Sequence, residues 1–131
     1  MTGLVLVAHT ASLAAAAADL ARVVAGSDTR VVPAQQGDPA ATGVDPTAIR
    51  AAIANADTGT GVVVLTDLGS SVLTAKVVVA EIAEERSVAD VRLADAPFVE
   101  GAVAAAVTAS TGQGIDAVVA AAEAGWDMRK L

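Results

Sequence analysis

The chain has 131 residues, enough for one domain with a single core, and its 54% hydrophobic and 18% charged residues exclude a disordered protein. A formal net charge of −7 leaves no cationic surface for a phosphate backbone, which argues against a nucleic-acid partner. Cysteine is absent, so a disulfide framework, a thiolate metal site and a cysteine nucleophile are excluded.

The chain opens on the apolar run Gly3-Leu4-Val5-Leu6-Val7-Ala8, which reads as a buried strand over residues 4–8. No Lys or Arg precedes that run and His9-Thr10-Ala11-Ser12 interrupts it, so strand followed by helix is the reading rather than a secretory signal. No other stretch is apolar for long enough to span a bilayer, and a cytoplasmic protein is expected. A helix follows over 13–25, with Leu13, Ala17, Leu20 and Val24 at helical spacing and Ser12 or Thr10 as its cap. Gly26-Ser27-Asp28 ends it, and a short strand over 29–32 is closed by Pro33.

Residues 34–44 form the longest irregular stretch, a length more often functional than idle. Asp45-Pro46 opens the next helix, cap then first turn, which runs through Ile49 and Ile53 to about Ala56. Val62-Val63-Val64-Leu65-Thr66 is the strongest strand signal, an unbroken run that suits a central strand buried on both faces. A helix is expected over 72–85, a fourth strand over 88–93, and two helices over 102–109 and 115–124. Trp126, in the short tail, is expected to cover an exposed edge of the core. With one Phe and one Trp, the core must be built from Ala, Val, Leu and Ile, and alanine-rich helices can lie close to a sheet. Repeated β–α units predict a flavodoxin-like open α/β sheet, mainly parallel, with helices on both faces and one domain over 1–131.

Three strand ends carry candidate chemistry. His9 is the only histidine and stands just past the first strand, where open α/β sheets gather their sites. A neutral imidazole nitrogen can attack an activated phosphoryl group, and the following helix start would favour the anion, with Thr10 and Ser12 as hydroxyl donors. Asp67-Leu68-Gly69-Ser70-Ser71, past the central strand, places a carboxylate that could fix the tautomer of His9, with two serines that cap the helix or donate to phosphoryl oxygens. Both corners also suit plain roles, a strand-end hydrogen bond for His9 and a turn with a helix cap for Asp67 and the serines. The third corner, Asp95-Ala96-Pro97-Phe98-Val99-Glu100-Gly101, reads as a loop that meets a partner or merely bends the chain.

Other sites are demoted. No Gly-Lys-Ser/Thr phosphate loop is present, the first corner lacks the glycine of a flavin-phosphate loop, and one histidine without cysteine or an acidic cluster makes a poor metal site. A receiver-type acidic pocket is also missing, because Ala8 and His9 stand in its place.

Val5-Leu6-Val7-Ala8-His9-Thr10, Val64-Leu65-Thr66-Asp67-Leu68-Gly69-Ser70 and the Asp95-to-Gly101 motif, in that order and spacing, closely resemble the phosphotransfer subunits (DhaM) of phosphoenolpyruvate-dependent dihydroxyacetone kinases. Those subunits belong to the mannose-type enzyme IIA superfamily of the bacterial phosphotransferase system. The resemblance covers essentially the whole chain, and its last motif points to the dihydroxyacetone branch. It implies a relay in which the phosphocarrier HPr phosphorylates His9. The phosphohistidine then gives its group to ADP held on a nucleotide subunit (DhaL), and the resulting ATP serves dihydroxyacetone on a third subunit (DhaK). It further implies that Asp67 orients the His9 ring, that Thr10 and Ser70 lie near the phosphoryl group, that the chain binds no cofactor itself, and that it is a homodimer. The segment after the second strand departs from the family's glycine-rich pattern, so any partner contact there is not carried over. The chain also stops at Leu131, so HPr and its kinase are expected to be separate proteins. A mannose-type enzyme IIA of a sugar permease and a regulatory binding module on the same fold remain as alternatives. Neither of the first two corners carries Lys or Arg, which suits a carrier that must release what it accepts.

Overall fold

Two five-residue strands, β1 (Gly3–Val7) and β3 (Val62–Thr66), are buried along their whole length and pair in parallel with Leu4 opposite Val63 and Val7 opposite Thr66. The computed structural model describes residues 1–35 and 43–131. Shorter strands flank the central pair, β2 (Val31–Pro33) beside β1 and β4 (Val91–Leu93) beside β3, giving an all-parallel sheet in the order β2-β1-β3-β4. Its helices are α1 (Ala11–Ala25), α2 (Pro46–Ala56), α3 (Ser70–Glu85), α4 (Phe98–Ser110) and α5 (Ile115–Glu123), followed by a 3₁₀ turn over Ala124–Asp127. This is the expected flavodoxin-like architecture.

Strand side chains alternate between faces, and each face has its own core. Leu4, Leu6, Val63 and Leu65 meet α1, α4 and α5, while Val5, Val7, Val62 and Val64 meet α2 and α3. Asp45 caps α2 by accepting from the Thr47 amide at 2.9 Å, with Pro46 in the first turn, as expected.

Several expectations need correction. The buried line of α1 is Ala14, Ala17, Ala18 and Ala21, whereas Leu20 and Val24 are 43% and 53% exposed. Alanine wins this face because α1 and α4 lie side by side on one sheet surface, and α4 too turns in Ala102, Ala105, Ala106 and Ala109. Strand β4 is shorter than expected, because Val88 packs with the α2–α3 core before pairing begins at Val91. Helix α4 starts at Phe98, so the second half of the third corner is helical rather than loop. Trp126 is 63% exposed and does not seal a core edge. Within the divergent segment 34–45, residues 36–42 lie outside the described residues. No described helix is long and apolar enough to cross a membrane.

Candidate functional site

The sheet order reverses direction between β1 and β3, since the chain leaves β1 toward β2 and later returns to the other side as β3. Ligands of open α/β sheets settle at such a switch point. The register delivers His9 and Asp67 there together, and the Asp67 amide continues the ladder by donating to the Val7 carbonyl at 3.1 Å.

The Asp67 carboxylate lies 3.0 Å from His9 Nδ1 through each of its oxygens, and Oδ2 also accepts from the His9 amide at 3.0 Å. A carboxylate only accepts, so Nδ1 carries a proton, and in the neutral ring Nε2 keeps its lone pair. The Ser70 hydroxyl then donates to Nε2 at 3.0 Å. The ring is partly open, with 36% of the His9 side chain exposed against 7% for Asp67. The imidazole is therefore anchored on its inner nitrogen and approachable at its outer one.

Asp67 is itself held firmly. Its Oδ1 accepts from the Leu68 amide at 2.7 Å and from the Ser71 hydroxyl at 2.6 Å. Burial pushes its pKa up, but the contacts with Ser71, His9 and Leu68 together outweigh that and hold the carboxyl below its ordinary value of 3.8. It stays ionised opposite the ring at neutral pH.

Two helix starts face this spot. Thr10 caps α1 by accepting from the Leu13 amide at 3.2 Å, and Gly69, with φ +57, turns the chain into α3 without a side-chain cap. The Leu13 amide is taken by Thr10, and the Ser71 and Val72 amides by the Leu68 and Gly69 carbonyls at 3.3 and 3.1 Å, so it is the earliest amides of each helix, with the helix dipole, that favour an anion. Among the described residues Thr10 makes no hydrogen bond to His9, Asp67 or Ser70; its oxygen serves the cap and accepts from the Ser12 hydroxyl at 3.4 Å.

Adjacent serines part company. Ser70 faces the ring, whereas Ser71 is fully buried, its hydroxyl proton shared between Asp67 and the Leu68 carbonyl, so it does not cap α3 and has no open side toward a ligand. Sequence reasoning named Ser71 but missed this role, because successive helical residues lie about 100° apart and only the phase of α3 decides which one turns inward. The third corner contributes no side chain to the ring. It is clamped from the C-terminus instead, with the Glu123 carboxylate accepting from the Asp95 amide and Trp126 Nε1 donating to the Asp95 carbonyl, both at 2.9 Å. Between this clamp and Asp67 opens a cleft of about 470 Å³ whose walls include Val72, Lys76, Asp95 and Trp126. No group of three His, Cys, Asp or Glu side chains that could hold a metal is found among the described residues.

Known proteins are similar to this chain. It is 36% identical over 122 residues to the phosphoryl donor subunit DhaM of the PEP-dependent dihydroxyacetone kinase of Klebsiella michiganensis, and 39% identical over 123 residues to that of Pantoea ananatis. Each alignment covers 91% of this chain and 26% of the relative, so the chain spans about a quarter of the length of these proteins. The crystal structure of protein EF1359, described as of unknown function, superposes with a TM-score of 0.79 at 26% identity, covering 93% of this chain and 92% of that one. The family described as the fructose IIA component of the phosphotransferase system (EIIA-man) matches residues 3–119, and the chain belongs to that family.

Proposed function

We propose that this chain is a phosphoryl carrier that accepts a phosphoryl group from HPr on His9 Nε2 and passes it to ADP bound on the nucleotide subunit (DhaL) of a dihydroxyacetone kinase, with DhaK holding the final acceptor. The observation that carries this reading is the division of labour in one ring: Nδ1 tied to Asp67, Nε2 with its lone pair turned to the open side. In the first step Nε2 forms a bond to phosphorus as the donor's bond breaks, and the donor leaves with that electron pair. The proton stays on Nδ1, and the positive charge that develops on the ring is met by the Asp67 carboxylate. In this reading Ser70, displaced from Nε2, and the Thr10 hydroxyl meet phosphoryl oxygens, together with the earliest N–H groups of α1 and α3. In the second step an oxygen of ADP takes the phosphorus and the electrons of the N–P bond return to Nε2. The nucleotide belongs to the partner, and the intermediate is a phosphohistidine.

The 36–39% identity to DhaM subunits favours the dihydroxyacetone branch as acceptor. The family description favours a second reading, a IIA component serving a sugar permease. Incubation with phosphoenolpyruvate, the upstream kinase and HPr should give an acid-labile phosphoprotein, and labelling of His9→Ala would refute the assignment. Adding the DhaL–DhaK complex or a permease component then shows which one drains the label. A cytoplasmic homodimer belongs to the same reading. The aliphatic outer face of α1, where Leu20, Val23 and Val24 are exposed, supports self-association, which sedimentation velocity measures.

A further inference from the structure

Asp67 receives more hydrogen bonds than orienting a ring requires. The amides of Leu68 and His9 already fix one oxygen each, at 2.7 and 3.0 Å. From a fully buried position the Ser71 hydroxyl brings one further proton, shared between Asp67 Oδ1 at 2.6 Å and the Leu68 carbonyl at 2.7 Å, with the charged acceptor the closer of the two. With the two amides holding the carboxylate in place, the hydroxyl acts chiefly on its charge. A short bond to an ionised acceptor draws electron density off it.

We propose that Ser71 is a positioning residue that sets, through Asp67, how readily phosphorylated His9 gives up its phosphoryl group. This rests on the reading of His9 as the phosphoryl site. Once Nε2 is bonded to phosphorus and Nδ1 keeps its proton, the ring is cationic, and a carboxylate stabilises it in proportion to its own basicity. Ser71 weakens that hold, so the Nε2–phosphorus bond breaks more easily and imidazole departs with the electron pair. A carrier needs that balance. Among the contacts of Asp67, the Ser71 hydroxyl contributes the largest pull toward the ionised form.

The test needs no carrier protein. Phosphoramidate can phosphorylate an imidazole directly, as ammonia leaves phosphorus and Nε2 takes its place. Wild type, Ser71→Ala, Ser71→Gly, Asp67→Asn and the Asp67→Asn/Ser71→Ala pair are labelled in this way, and loss of label at neutral pH is followed by ³¹P NMR. The Asp67 carboxyl is titrated in parallel by ¹³C NMR. Ala and Gly, which both remove the hydroxyl, should each lengthen the phosphohistidine lifetime several-fold and raise the Asp67 titration. Ser71→Ala should add nothing once Asp67 is Asn. An unchanged or shortened lifetime, an unmoved Asp67 titration, or an equal effect in the Asn background overturns the proposal; should one substitution fail to fold, the other removes the same group. A wild-type ring that takes no label removes the phosphoryl-site reading and this proposal together, whereas label with unchanged lifetimes removes this one alone.

Discussion

The corner shared by β1 and β3 and the corner after β4 occupy equivalent places at the carboxyl edge of one sheet, yet they are built by opposite means. At the first, polar atoms converge: a carboxylate with amide and hydroxyl donors on one side of an imidazole, a lone hydroxyl on the other. At the second, a helix is packed tightly against its neighbours. A Cβ added at Gly101 would come within 2.9 Å of Ala96 Cβ, 3.1 Å of Leu65 Cδ2 and 3.3 Å of the Ala122 carbonyl, so α4 enters the fold at a separation that admits no side chain there. Of the two corners only the first lies where the chain order reverses, and there titratable side chains face each other, while the corner after β4 holds the C-terminal helices in place.

The sharpest break of that contrast is at the ring. His9→Ala should abolish phosphoryl acceptance from any donor and leave the thermal midpoint within a few degrees of wild type, because a partly exposed side chain is removed without opening the core. Asp67→Asn should slow labelling by roughly a hundredfold, since a ring whose tautomer and charge are no longer matched loses a preorganised partner. The same variant tests the electrostatics. The folded-state pKa of Asp67 lies below its ordinary value of 3.8, so its contribution to stability is complete above that value and lost as pH falls through the depressed one. Urea midpoints compared between neutral and strongly acidic pH should therefore fall further for wild type than for Asp67→Asn; equal falls would show that Asp67 is not held in its ionised form.

At the other edge the expected loss is in stability alone. Gly101→Ala forces a methyl group against Ala96, Leu65 and a carbonyl, and should cost about 1–3 kcal/mol, measured as a lowered urea midpoint at constant slope. Per folded molecule, labelling of His9 by phosphoramidate should not change. A loss of labelling without a loss of stability would mean that the two corners are coupled.

How much of this was legible in the sequence follows the same division. Continuous apolar runs, β-branched for the most part in β3, announce β1 and β3, and parallel pairing then brings His9 and Asp67 to one edge, so the anchored imidazole could be anticipated from residues alone. The Asp45-Pro46 start of α2 is equally local. What could not be read depends on the third dimension. In α1 leucine and valine recur at the right spacing, but alanine is buried because two neighbouring helices share one side of the sheet, and nothing within α1 reports the size of α4. The opposite fates of Ser70 and Ser71 turn on where α3 begins, at Ser70 rather than Val72. The helical start of the third corner was hidden by Pro97, which reads as a bend but occupies the N-cap of α4.

The smallest expected effect concerns Trp126, whose ring is mostly exposed while its Nε1 donates to the Asp95 carbonyl. Trp126→Phe keeps an aromatic ring and deletes that donor. The carbonyl lies near solvent and can turn to water, so the cost should be about 0.5–1 kcal/mol, at the lower end for a neutral hydrogen bond. The Glu123 carboxylate still accepts from the Asp95 amide, so the clamp loosens without opening. Since Trp126 and Asp67 border the same cleft from opposite corners, this variant also asks whether the packed edge reaches the ring. Chemical labelling of His9 at the wild-type rate in a slightly less stable protein would keep the two corners separate. A slower rate would place Trp126 with the site instead.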